Sequence, residues 1–176
     1  MPIDFADFTD IPALVALLDI AYRGEESKKG WTSEADLLLG NKRTDETIVH
    51  EMMNTPGTAF LKYLNDQNNI EGCVFLQKNE NKLYLGMLCV SPSAQAKGIG
   101  KQLMESAELH AKNLHCISIY MTVISIRHEL IAWYERKGYF KTGEKKPFPV
   151  DERFGIPTQK LEFDILEKNI QLSVIE

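Results

Sequence analysis

Apolar residues in the first third of the chain recur at the 3.6-residue spacing that is typical of amphipathic helices. Thr9 and Asp10 precede the first of these runs as N-cap residues, and Gly40 and Pro56 end later ones. The early elements predicted by this pattern are a short strand at residues 3–5, helices at 10–22, 33–39 and 45–54, and a polar loop at 23–31. The N-terminal part is therefore predicted to be mainly helical.

After Pro56 the pattern changes to the alternation of polar and apolar positions that is typical of strands. It predicts strands at residues 58–64, 70–76, 83–90, 116–123 and 159–166, a helix that ends at about residue 113, and another helix at 127–137. Three antiparallel strands are thus followed by a strand–helix–strand unit, which requires a parallel pair. We expect an α/β (α+β) fold with a mixed, mostly antiparallel sheet.

The turn at residues 91–101 joins a predicted strand to a helix and contains Gly98-x-Gly100. Glycine has no Cβ, so a ligand can approach the backbone there. Free N–H groups and the positive end of the helix dipole favour phosphate, and Lys97 and Lys101 add positive charge. The turn lacks the third glycine of a dinucleotide site and the Gly-Lys-Ser/Thr of a Walker loop. A phosphate ligand of another kind and a plain tight connection both remain open.

Charge and composition narrow the function classes. The 176 residues carry a net charge of −5 without a long basic run, which argues against nucleic acid as the main partner. No apolar run approaches the roughly 20 residues of a membrane span, and the acidic N-terminus is not expected to be a signal peptide. Cys73, Cys89 and Cys116 lie in apolar runs, which predicts buried thiols in a reducing cytoplasm. Neither the Cys nor the His spacing predicts a metal site.

Two motifs on the expected elements resemble those of the GNAT superfamily of N-acetyltransferases. The family pattern Gln/Arg-x-x-Gly-x-Gly/Ala is matched by Gln95, Gly98 and Gly100, and Tyr134 begins the later sequence Tyr-Glu-Arg-Lys-Gly-Tyr. The resemblance covers roughly residues 3–166 and implies a single domain over 1–176, with helices on both faces of a sheet whose central parallel strands splay apart. It further implies acetyl transfer from acetyl-coenzyme A to a primary amine of a small molecule or peptide, by direct attack in a ternary complex. It leaves room for a homodimer.

The resemblance also implies roles for particular residues. Tyr134 would be the general acid, because a phenol is protonated at neutral pH and can donate a proton to the departing thiolate. A backbone N–H near Val90 would polarise the acetyl carbonyl. The residues expected to contact coenzyme A are Leu88, Cys89, Val90, Gln95, Ala96, Lys97, Gly98, Ile99, Gly100, Lys101 and Arg127.

The sequence departs from the family pattern in two places. Arg127 occupies a position where the family often has asparagine, and the strand at residues 83–90 lacks the glutamate that often serves as general base. A water chain could remove the proton instead. The side chains that could otherwise remove it are Glu25, Glu26, Glu34 and His128.

The segment from Tyr22 to Ser33 is the predicted wall of the acceptor pocket, with Tyr22, Glu26 and Trp31 as its binding residues. An aromatic face and a carboxylate both favour a cationic amine, although Trp31 could simply pack as a hydrophobic plug. Two other functions stay open. The first is a catalytically silent module that binds or senses acyl-coenzyme A, and the second is a nucleotide-binding or redox domain.

Overall fold

The structure is a computed structural model that describes residues 2–95 and 97–170, apart from the side chain of Glu25. The helices are α1 (Ile11–Tyr22), α2 (Gly24–Ser27), α3 (Glu46–Asn54), α4 (Ile99–Asn113) and α5 (His128–Arg136). The strands are β1 (Ile3–Phe5), β2 (Leu38–Leu39), β3 (Thr58–Leu64), β4 (Ile70–Asn79), β5 (Lys82–Val90), β6 (Ser118–Ile124), β7 (Phe140–Pro147), β8 (Ile156–Pro157) and β9 (Glu162–Asn169).

Seven of the described strands form one sheet in the order β1-β3-β4-β5-β6-β9-β7. All neighbours are antiparallel except β5 and β6, which run parallel and pair only from Lys82 to Tyr84 on β5. Beyond Tyr84, β5 continues to Val90 without pairing to β6. The predicted mixed sheet with a splayed parallel pair is therefore confirmed, and the gap exposes one edge of β5 to a ligand.

Helices cover both faces of the sheet, as the resemblance implied. Side chains from β3 and β4 alternate between the two faces, so Phe60 lies on the face covered by α1 and α3, whereas Leu61 lies on the face covered by α4. On α1, Leu14 and Leu18 are fully buried one helical turn apart. Leu103 and Ala107 repeat this spacing on α4. The spacing of apolar residues thus fixes which face each helix covers.

A bulge interrupts β5 within the stretch that no longer pairs with β6. Val74 of β4 lies opposite both Met87 and Leu88, because the register shifts by one residue between Cys73 and Phe75. Met87 has a φ of 51°, which is rare for a residue with a side chain. A bulge bends its strand and redirects the neighbouring backbone groups. This bulge therefore lies on the part of β5 that borders the gap.

The helix predicted at residues 33–39 is wrong. The chain forms a turn there and then the short strand β2, which pairs antiparallel with β8. Leu38 is buried against Ile124 and Leu161, whereas Leu39 is exposed. Tertiary packing of one leucine has therefore overridden the apparent helical run. The polar loop predicted at 23–31 instead contains the short helix α2.

In the part of the chain that the structure describes, no helix is long and apolar enough to cross a membrane.

Candidate active site

Two cavities meet where β5 and β6 diverge. The first, of about 800 Å³, lies among the end of β5, the glycine turn and α5. The second, of about 380 Å³, lies between the middle of β5, β6 and the segment at residues 148–155. The two cavities share six lining residues, which are Tyr22, Glu34, Leu88, Arg127, Leu130 and Tyr134. This arrangement can hold two ligands that touch at a shared boundary.

The glycine turn forms one end of the first cavity. Gly98 is the N-cap of α4 and has a φ of 75°, a left-handed conformation that glycine adopts without strain. A Cβ at Gly98 would meet no atom within 4 Å, so the space above this backbone is open. The first N–H groups of α4 have no partners within the helix and point out of its N-terminus. The turn can therefore accommodate an anion, which is one of the two alternatives that the sequence left open.

The charges around the first cavity also favour an anion. Among the described residues that line it, the cationic side chains are Lys29, Lys101, Arg127, Arg136 and Lys137, whereas the only carboxylate is that of Glu34. A concave surface with this excess of positive charge attracts phosphate groups.

Most residues predicted to contact coenzyme A do line the first cavity. These are Leu88, Cys89, Val90, Gln95, Gly98, Ile99, Gly100, Lys101 and Arg127. Lys97 is exposed and is not among the lining residues. Ala96 lies outside the described residues.

Gln95 connects the end of β5 to the loop that contains Trp31. Its Nε2 atom donates a hydrogen bond to the carbonyl of Val90 at 3.2 Å, and its Oε1 atom accepts one from the Trp31 N–H at 2.8 Å. The Trp31 ring is 52% exposed and lies 6.3 Å from the ring of Trp133. Trp31 therefore borders the first cavity and is absent from the lining of the second.

The other residues of the predicted acceptor wall separate in the structure. Tyr22 lines both cavities. Glu26 is exposed, lines neither cavity and pairs with Lys29 at 2.9 Å. The structure thus brings Tyr22 and Trp31 to the site but not Glu26.

Tyr134 lies at the boundary between the two cavities. Its side chain is held on α5 by edge-on contacts with the rings of Trp133 and Tyr139, and the residue is 6% exposed. The hydroxyl has no hydrogen-bond partner in the described part of the chain, so it can donate to a bound ligand. Burial raises the pKa of Tyr134 to about 12, although the positive charge of Arg127 opposes the shift. The phenol therefore keeps its proton throughout the neutral range.

Tyr22 connects the end of α1 to the bulge in β5. Its hydroxyl donates a 2.5 Å hydrogen bond to the carbonyl of Leu88. Burial raises the pKa of Tyr22 well above its usual value, so this donor also stays protonated. The hydrogen bond fixes the position of the β5 backbone at the boundary between the cavities.

A buried ion-pair cluster lies under this boundary. The Glu34 carboxylate pairs with Arg23 through one oxygen and with Arg127, at 3.2 Å, through the other. Arg127 also donates to Thr32 Oγ1 at 2.9 Å. Burial lowers the pKa of Arg23 to about 10 and lowers that of Arg127 as well. The guanidinium of Arg127 is thus held in place by Glu34 and Thr32.

Among the described residues, no carboxylate that lines either cavity is free to act as a base. Both oxygens of Glu34 are paired with arginines, and Asp151 pairs with Arg153 at 2.7 Å. His128 is exposed and lines neither cavity. The side chain of Glu25 is not described.

The structure adds Trp133 to the residues that line the candidate site. It is partly buried and lines the first cavity, and the Lys137 Nζ atom lies 5.2 Å from its ring centre. Helical spacing could have indicated this position, since Leu130, Trp133 and Lys137 lie along one side of α5 and all three line the cavity.

The model of the acetyltransferase (GNAT) domain matches residues 34–154 of this chain. No curated protein matches the chain at a significant level.

Several solved structures share the fold. The ribosomal-protein-alanine N-acetyltransferase from Brucella melitensis superposes with a TM-score of 0.70 at 17% identity, covering 96% of this chain and 98% of that chain. An acetyltransferase of the GNAT family from Staphylococcus aureus Mu50 superposes with a TM-score of 0.67 at 18% identity, covering 96% of this chain and 98% of that chain. The phosphinothricin acetyltransferase from Sinorhizobium meliloti, in complex with AcCoA, superposes with a TM-score of 0.70 at 14% identity, covering 97% of this chain and 89% of that chain. At these identities the likeness shows the fold.

Proposed function

Because this chain belongs to the GNAT family of acetyltransferases, we propose that it transfers an acetyl group from acetyl-coenzyme A to a primary amine, by direct attack in a ternary complex. The observation that carries this proposal is the free hydroxyl of Tyr134 at the boundary between two cavities. One cavity has the size and charge for a phosphate-bearing cofactor, and the other is large enough for a small acceptor. The proposal treats residues 1–176 as one acetyltransferase domain.

Coenzyme A would occupy the first cavity. Its pyrophosphate would accept hydrogen bonds from the backbone N–H groups of residues 98–101, with Lys101, Arg136 and Lys137 adding positive charge. The unpaired edge of β5 near Leu88 and Val90 can hydrogen-bond the amides of the pantetheine arm, in the manner of an added strand. Bound in this way, the cofactor would present its acetyl thioester to the second cavity.

Tyr134 would act as the general acid. The amine nitrogen attacks the acetyl carbonyl carbon and the new C–N bond forms, then the C–S bond breaks and the phenol donates its proton to the sulfur. The amine loses its proton to water, because no free carboxylate lines the cavities within the described residues. A backbone N–H of β5 would stabilise the developing oxyanion.

A catalytically silent acyl-coenzyme A binding module is the second candidate. The observation in its favour is that the carboxylates of Glu34 and Asp151 are each paired with arginine. This pairing leaves deprotonation of the amine to solvent. The family match sets aside a nucleotide-binding or redox domain. We also propose that the protein resides in a reducing cytoplasm, which is supported by the free, buried thiols of Cys73, Cys89 and Cys116.

The test is a screen for acetyl transfer across amines, polyamines, amino acids and peptides, read as free thiol released and as acetylated product by mass spectrometry. Calorimetry with coenzyme A provides the parallel measurement. Acetylated product from at least one amine supports the enzyme. Tight coenzyme A binding without product from any amine supports the silent module, and absence of binding overturns both.

A further inference from the structure

The second cavity combines an apolar wall with an excess of arginine. Its wall contains Met87, Met121, Val123, Phe148 and Phe163. Arg23, Arg43 and Arg127 bring three guanidinium groups to the same cavity, against the carboxylates of Glu34 and Asp151. A cavity of this composition matches a ligand that has an apolar body and a negative end.

The two carboxylates are already neutralised. Glu34 is shared between Arg23 and Arg127, and Asp151 forms a bidentate pair with Arg153, which does not line the cavity. Arg43 is the cavity's remaining cation, and its guanidinium has no carboxylate partner in residues 2–95 and 97–170. This side chain is therefore able to receive an anion from a ligand.

Arg43 is held in place even without an ion pair. Its backbone N–H donates to Asp19 Oδ1 at 2.6 Å, and its guanidinium lies 5.2 Å from the ring centre of Tyr22, partly buried. Tyr22 in turn is hydrogen-bonded to Leu88 at the boundary between the cavities. Arg43 is thus a pre-positioned cation next to the place where the acetyl group would be transferred.

The three guanidinium groups also repel one another. After burial, the positive charges of Arg43 and Arg127 are among the causes that lower the pKa of Arg23. Like charges that crowd into a partly desolvated cavity raise its free energy, and a bound anion relieves this repulsion.

We propose that the acceptor is an amine that also carries a carboxylate, as an α-amino acid with an apolar side chain does, and that Arg43 binds this carboxylate. The inference rests on the proposed acetyl transfer and names its substrate class. The cavity volume of about 380 Å³ suits a free amino acid. The amino terminus of a protein, by contrast, has no carboxylate on its first residue. The cationic acceptor expected from the acidic loop is disfavoured, since Glu26 lies outside both cavities.

The experiment compares amino acids with their decarboxylated counterparts, such as phenylalanine with phenethylamine and leucine with isoamylamine. The wild-type protein should acetylate each amino acid with a kcat/KM at least about 10-fold higher than that of its amine, the effect of one charge-assisted hydrogen bond. Arg43→Gln should reduce this preference to near unity, mainly through a higher KM of the amino acid. Arg43→Lys should keep part of the preference. Lys42→Gln, at an exposed neighbouring position, is the control. It should change neither the kcat/KM of the amino acid nor that of the amine.

A binding arm separates this inference from the proposed function. Calorimetry measures amino acid binding to the protein saturated with coenzyme A, which cannot react. Amino acid binding that is lost in Arg43→Gln, without turnover in the wild type, supports the carboxylate site and overturns acetyl transfer. Equal acetylation of amines and amino acids by wild type and Arg43→Gln overturns the carboxylate site and leaves acetyl transfer standing. Faster acetylation of peptide amino termini than of any amino acid also overturns the carboxylate site. Should Arg43→Gln fail to fold, the wild-type comparison of each amino acid with its amine decides, and equal kcat/KM values overturn the carboxylate site.

Discussion

Glu34 holds together the charged groups on which the candidate site depends. Its carboxylate lies between the guanidinium groups of Arg23 and Arg127, and each of these residues is at most 6% exposed. A buried carboxylate in this position neutralises one of two cations and fixes both. Arg127 precedes α5, and Arg23 follows α1, so the cluster joins the two helices that supply Tyr134 and Tyr22.

We predict that Glu34→Gln strongly destabilises the protein. The change leaves two buried guanidinium groups without a counter-charge, which should lower the free energy of unfolding by about 3–5 kcal/mol. Urea unfolding measures this loss. Glu26→Gln is the matched control, because that glutamate forms an exposed pair with Lys29. This control should lower the free energy of unfolding by less than about 0.5 kcal/mol. Similar losses in the two variants would contradict the structural role of Glu34.

The buried tyrosines should make stability depend on alkaline pH. The pKa of Tyr134 is raised to about 12 by burial, whereas a tyrosine in the unfolded chain titrates near 10. Above pH 10 the folded protein keeps a proton that the unfolded chain releases, so unfolding becomes easier as pH rises towards 12. One such group contributes a slope of up to about 1.4 kcal/mol per pH unit, and nothing below pH 10.

The measurement is urea unfolding of wild type and Tyr134→Phe between pH 8 and pH 11.5. We expect the wild type to lose stability more steeply than the variant above pH 10. The difference between the two proteins removes the contribution of lysines, which also titrate in this range. Parallel curves would show that Tyr134 is not buried in its neutral form.

Among the structural elements, the turn between β5 and α4 shows the closest agreement between the sequence pattern, Gly98-x-Gly100, and the observed conformation. Gly98 needs its positive φ, and Gly100 needs its small size for a different reason. A Cβ at Gly100 would lie 3.7 Å from Trp133 and 3.9 Å from Val90, which are ordinary contacts. Both neighbours line the first cavity, so any larger side chain would extend into it.

We therefore predict that Gly100→Val weakens coenzyme A binding by at least about 10-fold, since its branched carbons would occupy space beside the cofactor. Gly100→Ala is the control. Its single Cβ fits without displacing an atom, and alanine favours the helix, so affinity and melting temperature should be kept. Calorimetry on both folded variants decides. Wild-type affinity in Gly100→Val would place the cofactor elsewhere.

At the scale of the whole molecule, the sequence was sufficient for most strands of the sheet and for the turn beside the first cavity, but it did not predict the full length of the edge strand β7. Periodicity located the strands and helices on either side of the glycine turn, and the strand–helix–strand order required the parallel pair between β5 and β6. The short segment at residues 33–39 was misassigned because only packing against Ile124 and Leu161 separates a strand from a helix there. Local patterns carry no information about such distant contacts.

The charged lining of the second cavity could not be predicted for the same reason. Arg23, Glu34, Arg43 and Arg127 come from four separated parts of the chain and meet only in the folded protein. From the sequence, the acidic loop residues suggested a cationic acceptor, yet Glu26 faces solvent. Net charge describes the whole surface, whereas specificity depends on the few charges that line the cavity.

The most direct test of Tyr134 as the general acid is the turnover of Tyr134→Phe at saturating acetyl-coenzyme A and acceptor. We predict that kcat falls by about 10²–10⁴-fold while coenzyme A affinity stays near the wild-type value, because the phenol donates its proton only as the C–S bond breaks. Tyr139→Phe removes a hydroxyl that is buried and has no partner among the described residues, but Tyr139 lines neither cavity, so this variant should leave kcat unchanged. Wild-type turnover in a folded Tyr134→Phe protein would contradict the account.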